Sequence, residues 1–429
     1  MHEHVVGGRE KLRSVALEFL EAALAQVRPA EFAIRLWDGT VWSPVPHAPP
    51  RFTLVLHHPG ALRRMFLSPS QFSLGDSYIH GDFDIEGDLD AAFSFGDALL
   101  DRSRRWRERL ALGRRLLRMP APERSGGLGT PLRGAVHSRE RDRQAIGFHY
   151  DISNDFYRLW LDRRMVYSCA YFSSADDELD PAQERKLDYI CRKLRLERGE
   201  RLLDIGCGWG AMVMHAARHY GVDALGITLS AAQAELAAGE IGRAGLGERC
   251  RVAVRDYRDL ENEGAFDKLV SIGMVEHVGR KRLPEYFALA WQLLRPGGIF
   301  LNHGISESLT NPPPRGRSFI DRYVFPDGEL VPVSEMVRVA EAAGFEVRDM
   351  ESLREHYALT LQRWVSRLDA AWDAARQATD EVTCRVWRLY MAGSAHGFAT
   401  GRLNLYQLLL VKPQGGASGF PLTRDYLYS

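Results

Sequence analysis

The sequence predicts an α/β protein: an open, mostly parallel sheet with helices on both faces, preceded by a small mixed α/β module at the N-terminus. Three observations carry this prediction. Strand-like and helical patterns alternate from about residue 200 onward. A glycine-rich turn, Asp204-Ile205-Gly206-Cys207-Gly208-Trp209-Gly210, follows an apolar strand and precedes a helix. The length of 429 residues exceeds what one core usually supports, so two domains are expected.

In the N-terminal module, residues 9–27 carry Leu12, Val15, Ala16, Phe19, Leu20, Ala23 and Leu24 at helical spacing, the pattern of an amphipathic helix. Residues 32–36 and 52–57 read as strands, separated by the Asp38-Gly39 turn and a proline-rich stretch over 44–50. Residues 75–89 read as small turns at Gly75-Asp76, Gly81-Asp82 and Gly87-Asp88 between aromatic and aliphatic residues.

Residues 102–118 hold eight arginines against one acid, Glu108, interleaved with Trp106, Leu110, Leu112, Leu116 and Leu117. Such a helix suits an anionic membrane surface, where arginines meet phosphates and Trp and Leu enter the interface. The alternative is a solvated helix whose apolar stripe packs on its own domain. Residues 119–133 are rich in Pro, Gly and Ser. The expected organisation is therefore a lipid-engaging domain over 1–118, a linker over 119–145 and a catalytic domain over 146–429.

In the catalytic domain, residues 201–205, 224–227, 251–254, 268–272 and 299–302 read as strands, with helices over 212–219 and 230–244. A βαβα order implies parallel strands joined by crossover helices. Ligands in such sheets bind at the carboxyl ends of the strands.

Basic and acidic residues balance at 56 each, so nothing global attracts a nucleic acid, and none is expected as partner. The five cysteines form no CxxC pair or regular spacing; neither a disulfide framework nor a metal site is expected, and a reducing cytoplasm fits them. The N-terminus lacks the apolar run of a signal peptide, and no stretch reaches transmembrane length. Work on lipid is therefore expected from the inner face of the membrane, as a peripheral protein. A homo-oligomer is compatible with the sequence.

Three glycines at alternate positions let the backbone turn tightly and leave room for a ligand against the main chain. Gly206, Gly208 and Ala211 also satisfy a loose dinucleotide fingerprint, so the turn alone does not separate NAD from S-adenosylmethionine. A NAD site wants an acidic residue at the end of the second strand. This chain has Gly226-Ile227-Thr228-Leu229-Ser230 there, which disfavours NAD.

That turn, with Gly226-Ile227-Thr228-Leu229-Ser230-Ala231-Ala232-Gln233, resembles the cyclopropane-fatty-acid-synthase family of class I methyltransferases, which includes the mycolic acid cyclopropane synthases. His149-Tyr150-Asp151, Tyr167-Ser168-Cys169-Ala170-Tyr171, Asp256-Tyr257-Arg258-Asp259-Leu260 and the run from Ser271 to Gly279 resemble it too, in order. The likeness extends from about residue 146 to the C-terminus and more weakly through the N-terminal module. It implies a Rossmann-like class I methyltransferase fold and S-adenosylmethionine as co-substrate. Tyr167 and Ser168 would contact its methionine end; Asp204, Gly206, Gly208 and Gly210 would line its body. Thr228 and Gln233 would lie near the ribose, and Tyr257 with Arg258 near the adenine. Read without the family, Thr228 and Ser230 are helix-capping residues and Gln233 an exposed helix residue.

An isolated alkene is a poor nucleophile, but a sulfonium methyl accepts its π electrons when held in line and kept dry. Closing a ring then needs a base that removes a proton from the transferred carbon. The resemblance implies bicarbonate as that base, held by Glu276, His303, the backbone amides of Cys169 and Ile305, and the Tyr357 hydroxyl. The plain readings are a helix N-terminal carboxylate for Glu276 and a hydrogen-bonded strand-end histidine for His303. His277 is the less favoured histidine. Tyr171, Phe172, Phe319, Tyr323 and Trp364 are candidates to face a transient cation with their rings, or are plain core. Ser394 stands where family members commonly carry a cysteine.

The function expected is addition of a methylene to the cis double bond of an unsaturated phospholipid acyl chain, forming a cyclopropane fatty acid. One alternative is methylation of the same bond to a methylene or methyl branch, the latter needing a partner reductase. Another is a non-catalytic lipid-binding protein.

Overall fold

The structure is a computed structural model that describes residues 2–28, 30–100, 106–121, 134–150, 152–260, 263–312 and 319–428. The chain forms two compact units. The first comprises Met1–Gly129, Arg315–Val324 and Glu381–His396; the second comprises Thr130–Pro314, Phe325–Asp380 and Gly397–Ser429.

The first unit is built on a four-stranded sheet of β1 (Phe32–Arg35), β2 (Val41–Trp42), β3 (Phe52–Leu56) and β4 (Phe83–Gly87), in the order β2-β1-β3-β4. β1 and β3 are parallel; the other pairs are antiparallel. Phe32 packs on Phe52 and Phe95, with ring centroids 5.8 and 4.5 Å apart, and helix His2–Leu24 buries Ala16, Phe19, Leu20 and Ala23.

The turn expected at Gly75-Asp76 is instead inside helix Gln71–Ile79. A Cβ at Gly75 would lie 2.6 Å from the Phe319 ring, so this glycine serves close approach and not chain reversal. Gly81 and Gly87 do turn the chain, at φ +73° and +92°.

Of the arginine-rich segment, the structure describes helix Trp106–Leu116, which packs on helix His2–Leu24 with Leu116 and Met119 buried and Leu110 and Leu117 exposed. Arg102, Arg104 and Arg105 lie outside the described residues. The C-terminal part of this unit is held by ions: Arg385 pairs with Asp84 at 2.6 Å, and His396 lies between Asp90 and Asp97 at 2.8 and 2.9 Å. Ser394 is buried on the same helix, Glu381–Ala399.

The second unit holds a seven-stranded sheet of β5 (Arg201–Ile205), β6 (Asp223–Thr228), β7 (Cys250–Val254), β8 (Phe266–Ile272), β9 (Leu294–Glu307), β10 (Glu346–Ser352) and β11 (Leu403–Val411). Their order is β10-β11-β9-β8-β5-β6-β7. β5 to β9 run parallel, as the alternating pattern predicts, and β11 pairs antiparallel with both β9 and β10.

Two apolar cores flank the sheet, one containing Leu203, Leu269, Phe287 and Phe300, the other Leu202, Val213, Val270 and Leu301. Alternate residues of each strand thus feed opposite layers. The chain winds outward from β5 to β7, then returns to the other side of β5 for β8, which opens a crevice at the carboxyl ends of these strands. Helix Arg139–Tyr150 begins within the stretch read as linker, and residues 122–133 lie outside the described residues. Among the described residues, no helix is long and apolar enough to cross a membrane.

Candidate active site

β5 ends at Ile205, and the chain passes through Gly206, Gly208 and Gly210 at φ +85°, +54° and +83° before helix Ala211–Tyr220. Residues with a Cβ resist that left-handed backbone. The amides of Gly206 and Cys207 both donate to Ile227 O, at 3.0 and 2.9 Å, which fastens the turn to β6.

A pocket opens beside this turn. Tyr167, Ser168, Asp204, Gly206, Gly208, Thr228, Gln233, Tyr257 and Arg258 all line it. Gly210 does not: it caps helix Ala211–Tyr220, and its missing Cβ admits Ala237, whose methyl would stand 3.2 Å away. Its glycine serves helix packing, not ligand approach.

Gln233 is buried and meets Thr228 Oγ1 through Oε1 at 2.7 Å, so it is not an exposed helix residue. Ser230 caps helix Ala231–Arg243 by accepting from Gln233 N at 3.3 Å, and its own N–H donates to Thr228 Oγ1. Arg258 donates through Nε and Nη2 to Asp256 at 2.8 and 2.6 Å and pairs with Asp142 at 3.0 Å. Burial pushes the Asp256 carboxyl up, but its bonds to Arg258 outweigh that and hold it below the ordinary carboxylate value. Asp204 is the opposite case. It is buried, its Oδ1 accepts from no described residue, and burial raises it to about 7 against the pull of Lys186.

Glu276 lies in the short turn after β8, where Gly273 at φ +66° redirects the chain and donates to His303 O at 2.9 Å. Ile305 N–H donates to Glu276 Oε1 at 2.5 Å; Oε2 is buried and accepts from no described residue. The Ile305 amide, expected to face an anion, is thus taken by Glu276 itself, because the carboxylate lies directly against β9. Burial raises the Glu276 carboxyl to about 7.

On β9, two residues before Ile305, His303 Nδ1 meets Gln407 Nε2 at 3.1 Å. With the amide donating, Nδ1 accepts and the neutral ring carries its proton on Nε2, which is buried and bonds to no described residue. Burial holds this imidazole far below its ordinary value, and so neutral.

Cys169 is fully buried, and burial pushes its thiol far up, so no thiolate is available at neutral pH. Its Sγ lies 3.8 Å from Leu353 O; Leu353 N–H donates to Leu405 O at 2.9 Å, and Leu405 pairs with Ile305 across β11 and β9. Tyr357 follows on helix Arg354–Ala370, its ring 6.1 Å from Trp364. Trp364 also meets Tyr167 at 5.2 Å, so one aromatic wall joins the donor pocket to Tyr357. Of the other aromatic candidates, Tyr171 and Phe172 pack on His356, while Phe319 and Tyr323 belong to the first unit. His277 is half-buried and lines the donor pocket. Asp151 and the side chains of His149 and Tyr150 lie outside the described residues.

Gln183, Lys186 and Gln407 escape a reading by motif. The first two interrupt the apolar stripe of helix Leu179–Leu194, between Ala182, Leu187 and Ile190, a signal readable only as polar residues on a buried face.

Among known proteins, residues 137–408 match the family described as mycolic acid cyclopropane synthetase. The chain belongs to that family. A probable fatty acid methyltransferase of Pseudomonas putida is 40% identical over 94% of this chain and 100% of its own length. The cyclopropane-fatty-acyl-phospholipid synthase of Escherichia coli K12 is 38% identical over 61% of this chain and 66% of its own. A crystal structure of mycolic acid cyclopropane synthase CmaA1 complexed with SAH and CTAB superposes with a TM-score of 0.59 and 34% identity, covering 62% of this chain and 97% of that chain.

As a cyclopropane synthetase family member, the protein has the class I methyltransferase fold and is an S-adenosylmethionine-dependent methyltransferase. Its pocket fits that donor. The Gly208 position is open, with no described residue beyond its chain neighbours within 4 Å of where a Cβ would stand, and Asp204 Oδ1, which accepts from no described residue, offers an acceptor to an ammonium group.

Proposed function

We propose that the protein adds a methylene from S-adenosylmethionine to the cis double bond of an unsaturated acyl chain on a membrane phospholipid, forming a cyclopropane fatty acid. The observation that supports this most directly is the pair of buried, unpartnered atoms Glu276 Oε2 and His303 Nε2, held on and against one stretch of β9. The bound donor supplies an electrophilic methyl group.

This chain's own residues act on the cationic acyl chain that methyl transfer leaves. The wall of Trp160, Tyr167, Trp364 and Tyr357 keeps water from it. Glu276 and His303 hold the group that takes the proton from the transferred carbon, so that the C–H electron pair closes the ring. A carboxyl raised to about 7 and an imidazole N–H donor together suit a small oxyanion such as bicarbonate, with Tyr357 and the Cys169 amide as further donors.

We place the reaction at the inner membrane surface, with the arginines of helix Trp106–Leu116 and its flanks meeting anionic headgroups. The Pseudomonas putida relative's name favours a second reading, in which a hydride shifts from the methyl-bearing carbon to the neighbouring cation and the transferred methyl then loses the proton, leaving a methylene branch, with a reductase as partner if the product is methyl.

The test is to incubate the purified protein with dioleoyl phosphatidylglycerol vesicles and methyl-labelled S-adenosylmethionine, then analyse the released acyl chains by mass spectrometry before and after ozonolysis. A labelled product that survives ozonolysis is the cyclopropane. Loss of the label as formaldehyde on ozonolysis, leaving an unlabelled mid-chain ketone, identifies the methylene branch, and absence of label from the lipid before ozonolysis overturns both.

A further inference from the structure

Lys186 faces inward from helix Leu179–Leu194 and is 1% exposed. Its ammonium donates to Ser168 Oγ at 2.7 Å, and no carboxylate of a described residue lies within ion-pair distance of it. Asp162 and Asp204 draw on it only from beyond ion-pair distance, and a buried ammonium hydrogen-bonded to a single hydroxyl is costly unless an anion joins it directly. Burial lowers the group to about 8, so the charged form still dominates at neutral pH.

The surroundings hold the pair rigidly. Three residues before Lys186, Gln183 Nε2 donates to Ser168 O at 2.8 Å, and Asp162 Oδ1 accepts from Val166 N at 2.7 Å, which pins the segment on both sides of Tyr167. Lys186, Ser168 and Asp204 line the same pocket. Because Lys186 occupies a lone pair of Oγ, the Ser168 hydroxyl proton points elsewhere and is available to an acceptor. The pocket therefore offers a cation with a donor at Lys186 and Ser168, and an unsatisfied carboxylate at Asp204. That is the complement of an α-amino acid zwitterion.

We propose that Lys186 is a positioning residue that makes Ser168 a hydrogen-bond donor to the α-carboxylate of S-adenosylmethionine, and that this carboxylate is the counter-charge of the buried ammonium. The inference rests on the reading of this pocket as the donor site. It explains why a lysine stands on the buried face of a helix, where an aliphatic residue would pack at lower cost.

The test compares two ligands on the full chain: S-adenosylhomocysteine, which carries the carboxylate, and 5′-methylthioadenosine, which lacks the amino-acid end. In Lys186→Met the affinity for S-adenosylhomocysteine should fall by about tenfold to a hundredfold, the range for a lost charge-assisted hydrogen bond, while that for 5′-methylthioadenosine stays unchanged. Ser168→Ala should show the same selectivity, and adding Lys186→Met to it should cost little more, since the two act as one unit. Equal weakening of both ligands, or of neither, overturns the assignment. If Lys186→Met does not fold, as judged by its thermal unfolding, the selectivity of Ser168→Ala decides. A wild-type protein that binds neither ligand would overturn the donor-site reading itself, a result separate from any loss confined to the variants.

Discussion

Ile305 N–H donates to Glu276 Oε1 at 2.5 Å, and that bond decides which oxygen of the buried carboxyl is left to act. Oε2 is the remaining one. Glu276→Gln keeps the shape and the bond to Ile305 through its carbonyl oxygen but cannot share a proton with a base. The chemical step should slow by roughly a hundredfold to a thousandfold, the usual cost of one positioned polar group. Glu276 does not line the donor pocket, so the affinity for S-adenosylhomocysteine should hold. Single-turnover rates beside a binding titration check this; a normal rate, or failure of donor binding alone, would remove Glu276 from the site.

The same residue makes stability depend on pH. Burial raises the Glu276 carboxyl from its ordinary 4.5 to about 7, so between those values the folded state keeps a proton that the unfolded state has lost. Its contribution is fully present below about pH 4.5 and is lost as pH rises through about 7. Asp204 acts in the same direction, from 3.8 to about 7. Glu276→Gln should therefore flatten part of the fall in Tm across that window and melt above the wild type on its alkaline side. Parallel Tm profiles for the two proteins would show that Glu276 does not titrate there.

Cys169 is expected to matter through its backbone and not its sulfur, because burial keeps the thiol protonated. Cys169→Ser should retain much of the activity, whereas Cys169→Pro removes the amide donor and should abolish it. Matching losses in both, with circular dichroism unchanged, would point to thiol chemistry.

Gly208→Val should abolish donor binding. No atom of a described residue beyond its chain neighbours lies within 4 Å of the new Cβ, so the side chain enters the space the ligand needs, and φ of +54° is strained for a branched residue by about 1–2 kcal/mol. Equilibrium binding together with thermal unfolding separates the two effects. A folded Gly208→Val variant that binds S-adenosylhomocysteine normally would refute the placement.

Membrane attraction through the arginine-rich helix should be electrostatic. Changing Arg114 and Arg115 to Glu should weaken sedimentation with phosphatidylglycerol vesicles, and added salt should weaken the wild type similarly. Unchanged co-sedimentation would assign the helix to packing against helix His2–Leu24 alone.

The turn from Asp204 to Gly210 and the strands and helices around it could be read from residue order, because positive φ at glycine and the periods of strand and helix are local properties of the chain. The donor-pocket residues Thr228, Gln233, Tyr257 and Arg258 were legible only through the family resemblance, since on their own Thr228 reads as a helix cap and Gln233 as an exposed helix residue; they line the pocket because the sheet's topology sends strand ends to the crevice. Tertiary structure alone decided what depends on distant partners. Gln407 sets the His303 tautomer across β9 and β11, from 104 positions away. Phe319 turns Gly75 from a turn residue into a contact. The strands β10 and β11 extend a sheet whose parallel part the alternation predicted, and residues 381–396 join the first unit through Arg385 and His396. Lys186 interrupts an apolar helix face, and only the packing of that helix shows what its ammonium meets. Periodicity reports which face of an element is apolar, but not what that face meets, and the charge state of a buried group is set by what it meets.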